Sequence, residues 1–447
     1  MSADVDVAIV GAGIAGLTAA YELGKAGVAV RVFEAADHVG GRMASTRHGG
    51  YTIDSGAEQV PSRGYRATWE LVRELGIRPD EVPLIGRAIG MWREGMAHPG
   101  VSDPRGLLTG AGLAPRARLD LARFQWWASS RRRDFHADHP EDTPLRDRTL
   151  ADWLRRYHSD LHDYLIQPVA AGFFGWDTGR SAAAVLLALM LEVGPVTGWR
   201  TYRSGMDTLA RALAERVDVA LETEVREVVA GRPNARLDTS AGTVTARSVL
   251  LCVPAPIAAR IYANPPAEER PFLEACTFTP MLKVSCLLDR PLAPKCAREL
   301  YALLTPRAED PVLAGLIVDH VKHPGRVPPG RGLVSLIAQP EVTSELLTAP
   351  EAEVVGRLTA PAERYLPGLN TATTATLVHR FRHGLPEATP QALRSRAGFV
   401  ARPVGQVDYA GDWIMLRPSS EGAVRAAAIA VSRTLSRKPT ATRLELR

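Results

Sequence analysis

Three glycines and one glutamate near the start of the chain have the spacing of a nucleotide-binding turn. Gly11, Gly13 and Gly16 follow an apolar run, and Glu34 stands 18 residues beyond Gly16. Gly11 would permit a tight turn, Gly13 would let the backbone approach a pyrophosphate, and Gly16 would let a helix lie close to a strand. A carboxylate at Glu34 can accept hydrogen bonds from the hydroxyls of an adenosine ribose. The pattern predicts a dinucleotide site that either FAD or NAD would fit.

The elements that must position these residues form one βαβ unit. Apolar periodicity predicts a strand, a helix that stops before Gly27, and a second strand that ends at Glu34. Ile14 and Ala15 open the helix and Ala35 follows the glutamate, so all three are predicted cofactor contacts. The predicted bounds are Val5 to Val10, Ile14 to about Lys25, and Val28 to Phe33.

One of the few lysines of the chain stands inside an apolar run. In FTPMLKVSCLL, Phe278 to Leu288, a period of two places Lys283 on one face and leaves the other face wholly apolar. An ammonium on a half-buried strand must reach water, a counter-charge or a reaction. A lysine that reaches solvent from a strand edge is the plain alternative, since edge lysines also discourage strand pairing.

Composition excludes several classes of function. The formal charge of +5 is modest for 447 residues, and the arginine clusters lack the interleaved aromatic residues of a nucleic-acid surface. The four cysteines are widely spaced without clustered histidines, so neither a metal site nor a disulfide framework is predicted. The longest apolar run is about half of a membrane span. We expect a cytoplasmic protein without an integral membrane segment; peripheral membrane contact and oligomeric state stay open.

A second glycine pair separates the two candidate cofactors. In EAADHVGGRMAS, Gly40 and Gly41 precede Arg42, and this stretch resembles the motif with which flavoenzymes of the monoamine oxidase and protoporphyrinogen oxidase superfamily close around the FAD pyrophosphate. A glycine pair exposes amide N–H groups, and arginine adds a forked donor for phosphate oxygens. The resemblance favours FAD over NAD.

Other stretches extend the resemblance through most of the chain. DSGAEQV is similar to the family segment beside the isoalloxazine, TEVREVV to the segment whose backbone meets adenine, LLCVPAP to the strand and turn that follow, and YAGDWIMLRPSSEGAVRAAA to the last FAD-binding motif. In that last motif an aspartate holds the ribityl chain and a helix aims its N-terminal amides at the flavin pyrimidine. The cofactor contacts that this resemblance implies are Gly56, Ala57, Glu58, Val225, Val253, Pro254, Gly411, Asp412, Glu421, Gly422 and Ala423.

The resemblance also gives Lys283 a role. The family carries a strand lysine that holds a water against flavin N5 and assists the reaction of reduced flavin with oxygen, so Lys283 is predicted to be catalytic. His383 is a second candidate, as a base. Ser419 stands where the amine oxidases carry a cage tyrosine, which puts an amine-guiding cage in doubt. No cysteine follows Cys296, so the covalent flavin link is missing and FAD is expected to bind non-covalently.

The fold class expected is α/β, with a Rossmann-like FAD-binding domain of the two-dinucleotide-binding-domain type and an α+β substrate domain. The FAD-binding domain is predicted at residues 1–80, 200–264 and 385–447, and the substrate-binding domain at 81–199 and 265–384. The predicted function is an amine oxidase-type enzyme that removes a hydride from a C–N or C–C unit of a small organic substrate and passes electrons to oxygen. Three alternatives remain: C–C dehydrogenation like that of protoporphyrinogen oxidases and carotenoid desaturases, a redox-neutral isomerase or cyclase, and an idle FAD-binding scaffold.

Overall fold

The computed structural model of the protein describes residues 3–100 and 112–437. Helices and strands are interspersed along these residues, with several single turns of 3-10 helix and one short π-helix, His162–Ile166, between them. The strands are β1 Val5–Val10, β2 Val30–Phe33, β3 Ser45–His48, β4 Tyr51–Asp54, β5 Val60–Pro61, β6 Ala88–Arg93, β7 Met96–Pro99, β8 Trp199–Arg200, β9 Val219–Ala220, β10 Val225–Val229, β11 Ala235–Thr239, β12 Gly242–Leu251, β13 Phe278–Leu288, β14 Leu300–Leu304, β15 Leu313–Val318, β16 Gly332–Ala338, β17 Thr373–Pro386 and β18 Val407–Tyr409.

The helices range from one turn to nearly five turns in length. They are α1 Ile14–Lys25, α2 Arg66–Glu74, α3 Pro115–Ser130, α4 Leu150–Leu154, α5 Ser159–Leu161, α6 Gln167–Phe174, α7 Ala183–Val193, α8 Thr208–Ala214, α9 Ala255–Ile261, α10 Arg270–Ala275, α11 Asp319–Lys322, α12 Pro340–Leu346, α13 Glu351–Ala362, α14 Leu369–Ala372, α15 Pro390–Val400 and α16 Ser420–Ser436. Among the described residues, no helix is both long enough and apolar enough to cross a membrane.

The chain divides into two compact units, each built from separated segments. Unit 1 combines Met1–Gly41, Leu209–Cys276 and Ser395–Arg447, and unit 2 combines Arg42–Thr208 and Thr277–Arg394. Residues 42–80 and 200–208 thus group with unit 2, whereas the sequence analysis assigns them to the FAD-binding domain. The function of each unit stays a prediction.

Unit 1 contains a seven-stranded sheet around the predicted βαβ unit. The strand order is β10-β11-β12-β1-β2-β9, and β18 pairs with β12. β1 runs parallel to both β12 and β2, and its last four residues are buried. Helix α1 has the bounds that the periodicity predicts. It ends because Gly27 adopts a positive φ of 72° and the following amide, that of Val28, donates back to Leu23 O at 3.1 Å.

Unit 2 contains a second seven-stranded sheet, in the order β17-β13-β16-β15-β14-β6-β7. Its pairs are antiparallel apart from β14 with β6. β13 lies inside this sheet, between β17 and β16, so the strand-edge alternative for Lys283 is wrong.

The two faces of β13 differ as the period of two predicts. Leu282, Val284, Cys286 and Leu288 are all buried in one apolar core with side chains of β15, β16 and α13. The opposite face carries Lys283 and Ser285, and both are also buried. β13 is therefore covered on both faces, and a charged side chain here must find its partner inside the protein.

Candidate functional site

The first glycine turn has the geometry that a phosphate-binding turn requires. Gly11 has a φ of 104°, which only glycine adopts without strain. A Cβ on Gly16 would lie 2.0 Å from Gly11 O, so α1 can pack this closely on the turn only with glycine there. A Cβ on Gly13 would meet no protein atom within 4 Å. The start of α1, at Ile14 and Ala15, has no side-chain cap and no acidic residue in its first turn. The turn therefore fits an anionic diphosphate, which would meet the N-terminus of a helix with no acidic residue in its first turn.

Glu34 is held by the backbone on both carboxylate oxygens. The amide of Ala12 donates to Oε2 at 2.7 Å, and the amide of Ala36 donates to Oε1 at 3.0 Å. Each oxygen keeps a second lone pair for a hydroxyl donor. These two hydrogen bonds fix the carboxylate beside the glycine turn, with Ala35 next to it in the chain. The contact of Glu34 with a ribose stays a prediction.

The second glycine pair lies beside the first turn. Gly40 donates its amide to Ala12 O at 2.9 Å and forms a parallel bridge with Gly13. Gly40 and Gly41 both have positive φ, 105° and 52°. The structure therefore brings the two glycine motifs of unit 1 together, as the sequence analysis predicts.

Further candidate contacts of unit 1 lie at the start of β10 and after β12 and β18. Val253 packs against Gly11 and accepts a hydrogen bond from Trp413 Nε1 at 3.1 Å through its carbonyl. Pro254 caps the start of α9, and Val225 opens β10 with its side chain buried. Gly411 lies so close to the Trp413 ring that a Cβ would stand 2.5 Å from it.

Helix α16 begins where the last motif predicts. Ser419 caps it, accepting a hydrogen bond from the Gly422 amide at 3.1 Å. A Cβ on Gly422 would lie 2.2 Å from Arg417 O, so this turn also requires glycine. Asp412, Glu421 and Ala423 are all buried. Arg425 donates to Glu421 one turn along the helix at 2.6 Å.

Unit 2 holds the remaining predicted contacts around Arg42. The Arg42 carbonyl accepts the Ala57 amide at 2.9 Å, and a Cβ on Gly56 would lie 2.5 Å from the same oxygen. The Arg42 guanidinium donates to Gly384 O at 3.0 Å and lies 6.0 Å from the centre of the Phe278 ring. Its predicted contact with a phosphate stays a prediction.

His383 is half-buried on β17, and its ring meets the edge of Phe278 at 6.0 Å between ring centres. Phe278 therefore contacts both His383 and Arg42. The catalytic role of His383 as a base stays a prediction.

Lys283 reaches a counter-charge in the interior of unit 2. Its ammonium forms an ion pair with Glu58 and also donates to the backbone carbonyl of Asp54. Only 5% of Lys283 is exposed, which excludes the alternative in which it extends to solvent. The strand lysine and the glutamate that the sequence analysis places beside the flavin are therefore direct partners.

The Lys283–Glu58 pair belongs to a larger group of buried charges. Lys322 contacts three carboxylates: Asp319 at 2.9 Å, Asp54 at 3.0 Å, and Glu58. Arg326 pairs with Asp54 at 3.0 Å. We call this set the buried charge cluster; its three acids and three bases are Asp54, Glu58, Asp319, Lys283, Lys322 and Arg326.

The buried charge cluster is neutral as a whole when each group is ionised. Its three carboxylates approach within 4.8 Å of one another, a spacing that a metal ion would accept. Here ammonium and guanidinium groups balance them instead. Removing one member would leave a buried charge uncompensated, which typically costs about 3–5 kcal/mol.

The three acids of the cluster differ in their affinity for a proton. Burial disfavours the charge of Asp54, but Lys322 and Arg326 outweigh it and hold the pKa of Asp54 well below its usual range. Burial likewise opposes the charge of Asp319, yet the two lysines lower its pKa. For Glu58, burial prevails over the same lysines and raises the pKa. Glu58 is therefore the acid of the cluster that is protonated first as the pH falls.

A hydrogen-bonded chain extends from the cluster to β17. Ser335 donates to Asp319 at 2.8 Å, Ser285 lies 3.1 Å from Ser335, and His379 Nε2 lies 3.3 Å from Ser285. Burial and the nearby Lys283 ammonium lower the pKa of His379 to about 4. His379 is therefore neutral at neutral pH.

The sequence analysis missed four members of the cluster: Asp54, Asp319, Lys322 and Arg326. One signal could have pointed to Lys322, because it is another of the few lysines and follows Asp319 at a helical spacing of three. The other contacts join residues more than 200 positions apart, and no local pattern encodes them.

The sequence matches a known family over most of its length. Residues 14–435 match the family model for flavin containing amine oxidoreductases. The chain belongs to this family. The resemblance seen in its motifs is therefore confirmed.

Curated relatives match over a smaller part. A Mycobacterium tuberculosis protein named as a flavin-containing monoamine oxidase is 35% identical over 156 residues, which is 34% of this chain and 32% of the relative. Protoporphyrinogen oxidase 2 of Arabidopsis thaliana is 29% identical over 169 residues, 37% of this chain and 32% of the relative. The chain thus spans about a third of the length of each of these two curated relatives.

Solved structures share the fold. A putrescine oxidase variant superposes with a TM-score of 0.79 at 20% identity, covering 97% of this chain and 99% of that one. Cyclohexylamine oxidase from Brevibacterium oxydans gives a TM-score of 0.75 at 17% identity with the same coverage. The predicted α/β flavoprotein fold is confirmed.

Proposed function

We propose that this flavoenzyme binds FAD non-covalently and removes a hydride from a C–N or C–C unit of a small organic substrate, with oxygen as the electron acceptor. The observation that carries the proposal is the family match over residues 14–435. The glycine turn of unit 1, which suits a dinucleotide diphosphate, supports FAD rather than a flavin without adenosine.

The positions of the cysteines support non-covalent binding. All four cysteines are free thiols at Cys252, Cys276, Cys286 and Cys296. None lies in the segment after Cys296, where the resemblance to the monoamine oxidases implies the cysteine that links the flavin. Burial raises the pKa of the Cys252 and Cys276 thiols above their ordinary value, so neither is a ready nucleophile.

Bound FAD would supply a hydride acceptor at N5 and return the electrons to oxygen. The protein's own task is to hold the cofactor, exclude water and place charge. Lys283 is the residue that we assign to the oxygen step, because a positive charge favours formation of a reduced oxygen anion beside it. Its ammonium has three N–H groups and two acceptors among the described residues, Glu58 and Asp54 O. One N–H therefore remains for a water or an oxygen species.

Dehydrogenation of a C–C unit is the second candidate. The match to a protoporphyrinogen oxidase favours it, as does Ser419 in place of the cage tyrosine of the amine oxidases. No strong base is required in either reaction, since a neutral amine or an electron-rich carbon can release a hydride directly.

An anaerobic substrate screen tests the proposal. Purified protein is mixed with amines, amino acids and porphyrinogens in the absence of oxygen, and the flavin absorbance is followed. We expect one class to bleach the flavin, and admission of air to restore the colour with release of hydrogen peroxide. Turnover of a substrate without bleaching and without oxygen uptake would instead indicate a redox-neutral enzyme and contradict the proposal.

A further inference from the structure

We propose that Lys322 is a positioning residue for Lys283: held by Asp319 and Asp54, Lys322 fixes the carboxylate of Glu58, and Glu58 in turn fixes the ammonium of Lys283. The inference rests on the proposed function, because Lys283 is the residue assigned there to the oxygen step. It assigns different roles to the two buried lysines of unit 2: Lys283 acts in the oxygen step, and Lys322 positions it.

The two lysines differ in how many of their N–H groups remain without an acceptor among the described residues. The Lys322 ammonium has a carboxylate for each of its three N–H groups: Asp54, Glu58 and Asp319. Its side chain is fully buried. Lys322 therefore has no donor left for a substrate or for oxygen, whereas Lys283 keeps one.

Glu58 connects the two lysines through its two oxygens. Oε1 accepts from Lys283 and Oε2 accepts from Lys322. Because a carboxylate held at both oxygens cannot rotate, the position of Lys322 determines where Oε1 lies. Lys283 can take up a different rotamer only by giving up this ion pair.

Lys322 is itself held by two anchored carboxylates. Ser335 donates to Asp319 Oδ2 at 2.8 Å. Asp54 accepts from Arg326 at 3.1 Å, from Ser45 at 2.7 Å, and from the Met206 amide at 2.9 Å. Apart from Arg326, the groups that hold Asp319 and Asp54 thus lie on β3, β16 and the segment before α8. They fix the position of Lys322 and, through it, the position of Glu58.

Charge balance predicts what the loss of Lys322 does. The titratable or charged groups that face Glu58 are Lys283, Lys322, Asp54 and Asp319, with Tyr301 of β14 and His379 of β17 farther off. Lys322→Met leaves three acids against two bases. Glu58, the acid most open to a proton, would then become neutral and release Lys283.

A charge-compensated variant separates positioning from folding. Lys322→Met alone could unfold the protein, because it leaves an unpaired buried anion. Lys322→Met combined with Asp319→Asn keeps two acids and two bases, and the amide oxygen that replaces the carboxylate can still accept from Ser335. Lys283→Met tests the oxygen step itself, and Lys25→Met, at an exposed lysine of α1 in unit 1, is the matched control.

The experiment measures two quantities for each purified holoprotein. One is the thermal midpoint of unfolding. The other is the rate at which the flavin, reduced anaerobically by light, is reoxidised by air-saturated buffer, recorded across a range of pH. No substrate is needed, so the measurement does not depend on the substrate class.

The expected result is a compensated variant with a thermal midpoint close to that of the wild type but reoxidation slowed by about tenfold, as for a misplaced catalytic group. Its rate should also fall more steeply than the wild-type rate as the pH is lowered. In the variant only the Lys283 ammonium stabilises the charged form of Glu58, so Glu58 is protonated at a higher pH and releases Lys283. A wild-type rate and pH profile in this variant, while Lys283→Met is slow, would overturn the inference and leave the proposed function intact. Wild-type reoxidation in Lys283→Met would overturn the role of Lys283 in the proposed function.

Discussion

Single residues of unit 2 show how charge is accommodated inside a β-sheet. Lys283 lies on an interior strand with 5% of its surface exposed, where an unpaired ammonium would cost far more than one hydrogen bond returns. Glu58 supplies the opposite charge, and four further ionised groups balance the pair. Such an arrangement adds little to stability compared with an apolar core. The proposed benefit of the arrangement is the fixed position that it gives to Lys283.

Glu34 gives a prediction at the scale of one residue in unit 1. Glu34→Ala removes the acceptor proposed for the adenosine ribose and also leaves the Ala12 and Ala36 amides without their partner. We expect FAD to separate from this variant on gel filtration, while Glu22→Ala, at a half-buried acid of α1 that pairs with Lys25, retains it. Full flavin occupancy in Glu34→Ala would remove the ribose contact from the account.

His379 predicts a dependence of stability on pH. Its pKa is lowered to about 4 in the folded protein, against about 6.5 in the unfolded chain. The unfolded chain therefore binds more protons between these values, so His379 contributes full stability above pH 6.5 and loses it as the pH falls toward 4. The loss cannot exceed about 1.4 kcal/mol per pH unit.

The comparison of wild type with His379→Gln isolates this effect. Urea unfolding at about pH 7 and about pH 4.5, on either side of most of this titration, should show a larger loss of unfolding free energy for the wild type than for the variant. Equal losses in the two proteins would show that burial and Lys283 do not lower the pKa of His379.

At the scale of elements, α1 packs on the first turn more closely than a side chain at Gly16 would allow. Gly16 and Gly24 both lie in α1 and provide a matched pair. A Cβ on Gly16 would stand 2.0 Å from Gly11 O, whereas a Cβ on Gly24 would meet nothing within 4 Å.

Alanine at these two positions should have opposite effects. Gly16→Ala pushes the helix away from the turn and should cost about 1–3 kcal/mol of unfolding free energy together with most of the bound flavin. Gly24→Ala should gain up to about 1 kcal/mol through helix propensity and keep the flavin. Urea unfolding and flavin content per chain measure both effects, and a flavin-loaded Gly16→Ala protein of normal stability would contradict the packing argument.

Elements whose signals are local could be predicted from the sequence. The bounds of α1 and the strand Phe278–Leu288 with its apolar face follow from periodicity and glycine positions, and the resemblance to the family implies a helix at the start of α16. The surroundings of Lys283 could not be predicted, because its partners Glu58 and Asp54 lie more than 220 residues earlier in the chain. The half-buried strand that the sequence suggested is in fact covered on both faces, because Tyr51, Ile53 and Glu58, all distant in sequence, lie against the face that carries Lys283 and Leu287.

At the scale of the whole molecule, segments far apart in the sequence build each unit. Three segments form unit 1, and they contain both glycine motifs, Glu34 and the start of α16. Two segments form unit 2, and they contain all six members of the buried charge cluster. The family match, which runs from residue 14 to residue 435, covers parts of both units. The roles proposed for both units depend on one property of the chain, the binding of FAD.

The most direct test of FAD binding is the visible absorption spectrum of the purified protein, followed by chromatography of the cofactor that it releases on denaturation. We predict the two absorption bands of an oxidised flavin, and FAD in the supernatant at close to one molecule per chain, with no flavin left on the precipitated protein. A colourless protein that cannot be reconstituted with FAD would contradict the account, and flavin that stays with the precipitate would contradict non-covalent binding.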